Sequence, residues 1–200
     1  MSTNIKGYKD SELISLAKGA KSFTHIPKTH WILAMRSIAD DYNSMDDKIY
    51  AMYGEKCISV MTGTTNGGSY GLKNFMKWDS RGMAVIKSGV WNYDCYKKSD
   101  GKIVRHHNSK LQCLRLVKPI WMHRDGNKNK KVEEYGKAYF ENNGTNFHLN
   151  SYKMLKGITS WLINGWSTGC IVPNDATKYW KFLEGISYEE EVSLLVLKST

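Results

Sequence analysis

The sequence predicts a mainly β protein of the α+β class, with a short helix near its beginning and another near its end. Three observations lead to this prediction. From residue 30 onward, runs rich in β-branched and aromatic residues alternate with turns rich in Gly, Asn and Asp. Helical patterns appear near both ends of the chain. A chain of 200 residues with 41% hydrophobic content can bury one sizeable core, and no long linker divides it.

The first helix is predicted over residues 9–20, KDSELISLAKGA, where apolar residues recur at near-helical spacing. Ser11 is available as its N-cap. We therefore expect residues 1–26 to form a helical extension that precedes one larger domain, residues 27–200.

Strand patterns fill most of the sequence that follows. Residues 30–38 and 57–65 have strand composition, and the second run ends in the glycine cluster TNGGSYG. The segment between them, 39–54, is polar and we expect turns there. Further strands are predicted over residues 82–96, 111–124 and 145–152.

The last quarter of the chain adds a helix and a strand. Residues 153–166 fit either a short helix or a lid-like loop. Asn174 or Asp175 can cap a helix over residues 176–184, and EVSLLVLK, residues 191–198, predicts a final strand.

Composition limits the classes of protein and site that are expected. The first twenty residues lack the continuous apolar core of a signal peptide, and nowhere do eighteen apolar residues run together. We therefore expect a chain that is made in the cytoplasm and has no membrane span. Its cysteines lie far apart without a CxxC pair, which argues against a zinc ribbon and predicts free thiols and no metal or other cofactor. They are Cys57, Cys95, Cys113 and Cys170.

Basic residues exceed acidic residues by ten, and the excess is dispersed along the chain. Such a balance suits an anionic partner, either a nucleic acid or a bacterial wall, and it also suits a surface that is merely soluble. A nucleic-acid module usually shows a concentrated basic stripe or a recognition helix, and neither is visible. The sequence therefore argues against a nucleic-acid partner.

One small-residue turn and one histidine are candidates for chemistry. The stretch NGWSTGCIVPND contains a turn of small residues that ends at Cys170. Its residues Ser167, Thr168 and Gly169 would let backbone N–H groups point at a developing oxyanion. His148, in NFHLN, would stand on the strand face opposite its apolar neighbours and could serve as a base for the thiol. Without further information, a packed core cysteine and a core histidine are the commoner explanation of these residues.

The same residues resemble a known family. NFHLN followed by GWSTGCIVPND is similar to the motif of the L,D-transpeptidase catalytic-domain family, in which a histidine on one strand accompanies a turn that ends in Gly-Cys. The run from about Trp31 to Phe182, about three quarters of the chain, resembles a divergent phage and prophage branch. Its blocks are AMRSIADDYNSMDDKIY, TGTTNGG, GMAVIKSGVW, HHNSKLQCL, MHRDGNK, NFHLN and WSTGC.

The resemblance implies a β-sandwich or barrel of the L,D-transpeptidase type over residues 27–200, with a helix after the nucleophile. It implies that Cys170 is the nucleophile, that His148 is the base and that the 167–169 turn binds the oxyanion. The implied reaction cuts or exchanges an amide in the peptide stems of peptidoglycan through a thioester. The protein would act at the cell wall after lysis or export, or be carried in a phage particle with other virion proteins.

The sequence departs from the cell-wall enzymes at two places. Thr168 stands where they carry a second histidine, and IVPN follows the cysteine where they place an arginine nearby. These differences weaken thiolate stabilisation and carboxylate binding, so they favour hydrolysis over crosslinking. They also keep a second class open, a non-catalytic virion or wall-binding protein that retains the fold.

Three further residues are candidates for the cleft around the nucleophile. His107 matches a block in which the phage branch tends to place a histidine, although a solvent-exposed histidine at a turn explains it as well. Tyr152 and Trp166 would wall the cleft, although core filling explains both.

Two patterns suggest metal sites that other features disfavour. RDGNKNKKVEE places Asp125, Asn127 and Asn129 like the start of a calcium loop, but Lys130 replaces the required glycine, so a hairpin turn is the better interpretation. His106 and its neighbour would point in opposite directions on a strand and make a poor chelating pair.

Overall fold

A computed structural model of the protein describes residues 7–39, 42–77, 79–99, 112–127, 129, 131–149, 162–165 and 167–199. Within these residues the prediction of a mainly β protein is confirmed. The helices are α1 (Asp10–Lys18), α2 (Ser69–Asn74), which continues into a 3-10 turn (Phe75–Lys77), and α3 (Ala176–Gly185). The strands are β1 (His30–Arg36), β2 (Asp47–Tyr53), β3 (Lys56–Thr64), β4 (Met83–Ile86), β5 (Trp91–Lys98), β6 (Leu114–Leu116), β7 (Ile120–Asp125), β8 (Tyr139–Glu141), β9 (Val172–Pro173) and β10 (Glu191–Lys198).

The strands form two sheets. A curled sheet of seven strands has the order β6-β5-β10-β1-β2-β3-β9, and a second sheet has the order β4-β7-β8. At the centre of the larger sheet, β1 and β10 run parallel, with Trp31 opposite Ser193. The first and last strands of the fold are therefore neighbours, with β2 next to β1 on one side and β5 next to β10 on the other.

The central strand β1 is buried on both faces. Ile32 and Ala34 point to the core that also contains α3, whereas Trp31, Leu33 and Met35 point to a second cluster on the opposite face. A strand covered on both sides does not need polar residues at alternate positions, which explains the continuous apolar run in HWILAM. Strand β1 fills part of the predicted run 30–38.

Helix α1 covers the face of the larger sheet to which Trp31, Leu33 and Met35 point. It begins after Lys9, whose backbone N–H donates to the Glu12 carboxylate at 2.8 Å. The prediction that Ser11 is the N-cap was wrong, because Ser11 already lies within the first turn. Three side chains of α1 are buried against the sheet: Leu13, Ile14 and Ala17.

The segment 39–54, for which turns were expected, contains a strand. Residues Asp47–Tyr53 form β2, which pairs with β1 on one side and β3 on the other. Ile49 and Ala51 join the core beneath α3, and Tyr50 and Met52 join the cluster beneath α1. The apolar run IYAM is short and follows a polar stretch rich in Asp, so the composition of the whole segment hides this strand from pattern analysis.

A buried polar network joins the two sheets where β1 ends. Arg36 is fully buried and donates to the Thr65 hydroxyl at 2.9 Å, the Glu134 carboxylate at 2.9 Å and the carbonyl of Ile86 at 3.0 Å. Asp47, also fully buried, accepts the N–H and the O–H of Thr65, each at 2.7 Å. Since Ile86 lies in β4 and Arg36 in β1, the guanidinium ties the smaller sheet to the larger one.

A second cluster of charged residues lies near the smaller sheet. We expect it to make the stability of the fold depend on pH. Arg81 donates to the Asp79 carboxylate at 2.6 Å and, together with Arg124 at 3.2 Å, lowers the pKa of Asp79 to about 2. Because this pKa is lower in the folded chain than in the unfolded chain, the ionised carboxylate stabilises the fold above about pH 4. That contribution is lost as the pH falls from about 4 to about 2.

We expect Asp79→Asn to lower the free energy of unfolding by about 1 kcal/mol at pH 7, since the cluster is partly solvated. The difference from wild type should shrink towards pH 2. Urea unfolding at pH 7, 4 and 2.5 measures this dependence, with Glu55→Gln at an exposed ion pair as the control. A deficit that stays constant over this pH range would contradict the assignment.

Candidate active site

The predicted base and nucleophile lie on neighbouring extended segments. Phe147 exchanges two backbone hydrogen bonds with Leu114 of β6, each 3.0 Å long. On its other side Phe147 forms a parallel bridge to Ile171, in which the His148 N–H donates to Ile171 at 3.1 Å and the Ile171 N–H donates to Asn146 at 3.0 Å. Of the strand predicted over 145–152, residues 145–149 contribute this single bridged position, and residues 150–152 lie outside the described residues.

This bridge places the two candidate residues on one face. Phe147 and Ile171 are fully buried in the main core. Because successive side chains of extended segments point to opposite faces, His148 and Cys170 both lie on the face away from that core. Their exposed fractions are 6% and 3%, so both side chains are nearly enclosed.

The imidazole of His148 has a defined hydrogen-bond partner. Its Nδ1 lies 2.7 Å from the backbone carbonyl oxygen of Leu149. A carbonyl only accepts, so Nδ1 carries the proton and Nε2 carries the lone pair of the neutral ring. A ring held in this tautomer is arranged to accept a proton at Nε2, as a general base requires.

The sulfur of Cys170 has a polar side and an apolar side. The backbone N–H of Asn146 donates to Sγ at 3.3 Å, and the carbonyl oxygen of Gly144 lies 4.0 Å from it. The apolar side is formed by Met45, Ile163 and Val172. The sulfur therefore meets both a backbone donor and a backbone acceptor from the segment before His148.

The turn that leads to Cys170 is closed by the hydroxyl of Ser167. Ser167 donates to the Cys170 carbonyl at 3.0 Å and accepts the N–H of Gly169 at 3.0 Å. Ser167 is buried, whereas Thr168 is half-buried. The Gly169 N–H, which was predicted to point at an oxyanion, therefore forms a hydrogen bond within the turn.

The turn rests against α2, which pattern analysis missed. The N–H of Gly68 donates to the Ser167 carbonyl at 2.9 Å. A Cβ on Gly68 would lie 2.2 Å from the Asn164 carbonyl oxygen, so this glycine permits close approach of the two segments. The cluster TNGGSYG was predicted only to end a strand, although its glycines also allow α2 to contact the turn.

Burial lowers the reactivity of the other three thiols. All four cysteines are free, as predicted. Burial raises the pKa of Cys113 to about 12 and that of Cys95 still higher, and burial also raises the pKa of half-buried Cys57. These thiols are therefore protonated near neutral pH and poor nucleophiles.

No family model, curated protein or solved structure matches this chain. The site is thus described by its own geometry. In the part of the chain that the structure describes, no helix has the length and apolar character needed to cross a membrane.

The predicted cleft residues His107, Tyr152 and Trp166 lie outside the described residues, as does His106. Sequence reasoning missed three backbone contributors to the site, which belong to Gly144, Asn146 and Leu149. Backbone groups of this kind leave no residue-type signal, although ENNGT did mark the loop before His148 as a turn.

The calcium-like stretch forms a connection between β7 and β8. The side-chain oxygens of Asp125 and Asn127 accept backbone N–H groups two residues further along, at 3.3 and 3.1 Å. Glu133 accepts the side-chain amides of Asn127 and Asn129, at 2.6 and 2.9 Å. These contacts occur in a hairpin connection, in agreement with the turn interpretation. Across the described ranges no group of three or more His, Cys, Asp or Glu side chains is placed to hold a metal ion.

Proposed function

We propose that the protein is a cysteine-dependent acyl-transferase or peptidase that acts on the peptide stems of bacterial peptidoglycan. The observation that carries the proposal is the parallel bridge between Phe147 and Ile171, because it sets His148 and Cys170 on one face of adjacent segments. The Nδ1 contact of His148 supports the role of base. We assign the fold to the L,D-transpeptidase type and the protein to the phage-associated branch, as the ordered sequence blocks suggest.

The reaction begins with transfer of the Cys170 thiol proton to Nε2 of His148. The thiolate then attacks the carbonyl carbon of a stem amide, and the carbonyl π electrons move to oxygen. Collapse of this intermediate breaks the C–N bond, and His148 gives its proton to the leaving amine. The thioester is resolved by water, which completes hydrolysis, or by a second amine, which completes transpeptidation. In either case the proton of the incoming group returns through the imidazole to the sulfur.

The charge of the chain fits this substrate. Basic residues exceed acidic residues by ten, and a bacterial wall carries carboxylates and phosphate polymers. We propose that this excess holds the protein on the wall, which it reaches after lysis, by export or as part of a phage particle.

A second candidate is a non-catalytic virion or wall-binding protein with the same fold. The observation that favours it is the burial of Cys170, which is 3% exposed and packs against an apolar cluster. Catalysis requires a substrate carbonyl to reach this sulfur, whereas a binding protein has no such requirement.

Digestion of purified peptidoglycan separates the two candidates. We expect wild type to change the muropeptides seen by mass spectrometry, Cys170→Ala to leave them unchanged, and His148→Gln to slow the change by about 10²-fold or more. Cys57→Ser, at a thiol on β3 outside the site, is the matched control and should retain activity. If wild type binds the wall without altering any muropeptide, the enzymatic proposal fails and the binding protein is favoured.

A further inference from the structure

The loop before His148 builds its own conformation from side-chain hydrogen bonds. This loop, NNGTN, comprises residues 142–146 and follows β8. The Asn142 side chain accepts the Gly144 N–H at 3.2 Å. The Asn143 side chain accepts the N–H and the O–H of Thr145, at 3.1 and 2.6 Å. Such local bonds fix a loop before any contact with a ligand is made.

The loop is also anchored at both ends to the segment around β6. The Asn142 amide donates to the carbonyl of Leu116 at 3.3 Å. The Asn146 side-chain oxygen accepts the N–H of Leu116 at 2.9 Å, and the Asn146 backbone carbonyl accepts the Ile171 N–H at 3.0 Å. Asn146 is only 5% exposed, so its two hydrogen bonds are shielded from water and are therefore strong.

This anchored loop presents two backbone groups to the nucleophile. The Gly144 carbonyl, 4.0 Å from Sγ of Cys170, accepts the proton of a thiol. The Asn146 N–H, 3.3 Å from Sγ, donates to sulfur and favours the thiolate. The thiol and the thiolate, the two states of this sulfur in the proposed reaction, thus each have a hydrogen-bond partner on the same loop.

We propose that the 142–146 loop is a positioning element for the Cys170 thiol, and that the Asn146 side chain is the residue that fixes it. This inference rests on the proposed function, since it assigns the loop a role in ionising that nucleophile. When the proton leaves for His148, the sulfur keeps a backbone donor without moving. An anchored donor costs little reorganisation at that step.

The test is the pH dependence of Cys170 alkylation by iodoacetamide in the full chain, followed by peptide mass mapping. In Asn146→Asp, one carboxylate oxygen still accepts the Leu116 N–H, but the added negative charge next to the donor opposes the thiolate. We expect the midpoint of the alkylation profile to rise by about one pH unit. Cys113 and Tyr96 lie within electrostatic reach of this sulfur, and the substitution leaves both of them and His148 in place.

The matched control is Asn92→Asp on β5. Asn92 is also 5% exposed, and its side-chain oxygen accepts the Trp121 N–H at 3.0 Å in the same kind of contact. This variant should leave the Cys170 profile at its wild-type midpoint. If Asn146→Asp also gives the wild-type midpoint, the proposal is overturned.

A second variant decides the matter if Asn146→Asp does not fold. Asn143→Ala removes both bonds to Thr145 at an exposed position and loosens the loop. We expect alkylation of Cys170 near neutral pH to slow roughly threefold, and an unchanged rate would overturn the proposal. Alkylation does not require wall activity, so a shifted profile in a protein that leaves peptidoglycan intact would support the positioning role and refute the proposed function.

Discussion

Gly169→Ala is expected to lower the free energy of unfolding by about 3 kcal/mol and to remove any activity that depends on Cys170. Gly169 has a φ of +125°, a region that residues with a Cβ rarely adopt. A Cβ at this position would lie 2.5 Å from the carbonyl oxygen of Ala84 and 2.9 Å from its Cβ. Ala84 belongs to β4 and is nearly fully buried, so it has little freedom to move away.

The consequence for the site follows from the position of this glycine. Gly169 immediately precedes the nucleophile and allows the turn to touch the smaller sheet, so a forced separation displaces Cys170 from the Asn146 N–H. Urea unfolding measures the loss of stability, and iodoacetamide mapping measures the altered thiol.

Gly165→Ala is the matched control for this variant. A Cβ on Gly165 would meet the Tyr70 Cβ at 3.8 Å, which is ordinary van der Waals contact. We expect its stability to stay within about 0.5 kcal/mol of wild type. Equal stability of the two glycine variants would show that the contact with Ala84 does not constrain the turn.

Arg36→Met is expected to lower the free energy of unfolding by about 3–5 kcal/mol, because it removes one partner from a buried charged network. The Thr65 hydroxyl, the Ile86 carbonyl and the Glu134 carboxylate each lose a donor. Burial raises the pKa of Asp47, and the guanidinium opposes this rise. Without Arg36 the pKa of Asp47 rises further.

The pH dependence of Arg36→Met has a definite sign. A carboxyl whose folded pKa exceeds its unfolded value stabilises the fold when protonated, and this stabilisation is lost as the pH rises through the folded pKa. The deficit of the variant should therefore be larger at pH 7 than at pH 4. Urea unfolding of both proteins at the two pH values measures this difference.

Lys198→Met is the control for Arg36→Met. The Lys198 ammonium lies 3.5 Å from the same Glu134 carboxylate, but its side chain is 54% exposed. A solvated ion pair contributes about 0–1 kcal/mol, so this variant should remain near wild type. If both variants lost a similar free energy of unfolding, burial would not strengthen the interactions of Arg36.

The catalytic proposal depends on groups that the backbone supplies as much as on side chains. Leu149 provides the carbonyl that sets the tautomer of His148, and Asn146 provides the N–H that meets Cys170. Ser167, predicted to belong to the oxyanion turn, closes that turn by accepting the Gly169 N–H and donating to the Cys170 carbonyl. The side chains predicted from the sequence are thus held by backbone groups. Since every residue type carries such groups, the sequence gives no signal for these contacts.

The sequence by itself determined the elements whose signals are local. Helix α3 is capped by Asp175, whose carboxylate accepts the Lys178 N–H at 3.0 Å, as its position before ATKYWKFLE predicted. Strand β10 coincides with EVSLLVLK, and β1 lies within the predicted run, because short apolar runs bounded by turn residues are typical of buried strands.

Only the tertiary structure decided which distant segments meet. The parallel pairing of β1 with β10, the bridge from Phe147 to Ile171 and the burial of Arg36 between two sheets all join segments far apart in the chain. Strand β2, whose apolar run follows a polar stretch, was recognised only by its pairing with β1 and β3. Such contacts depend on how the sheets pack, and packing is a property of the whole chain that local spacing does not encode.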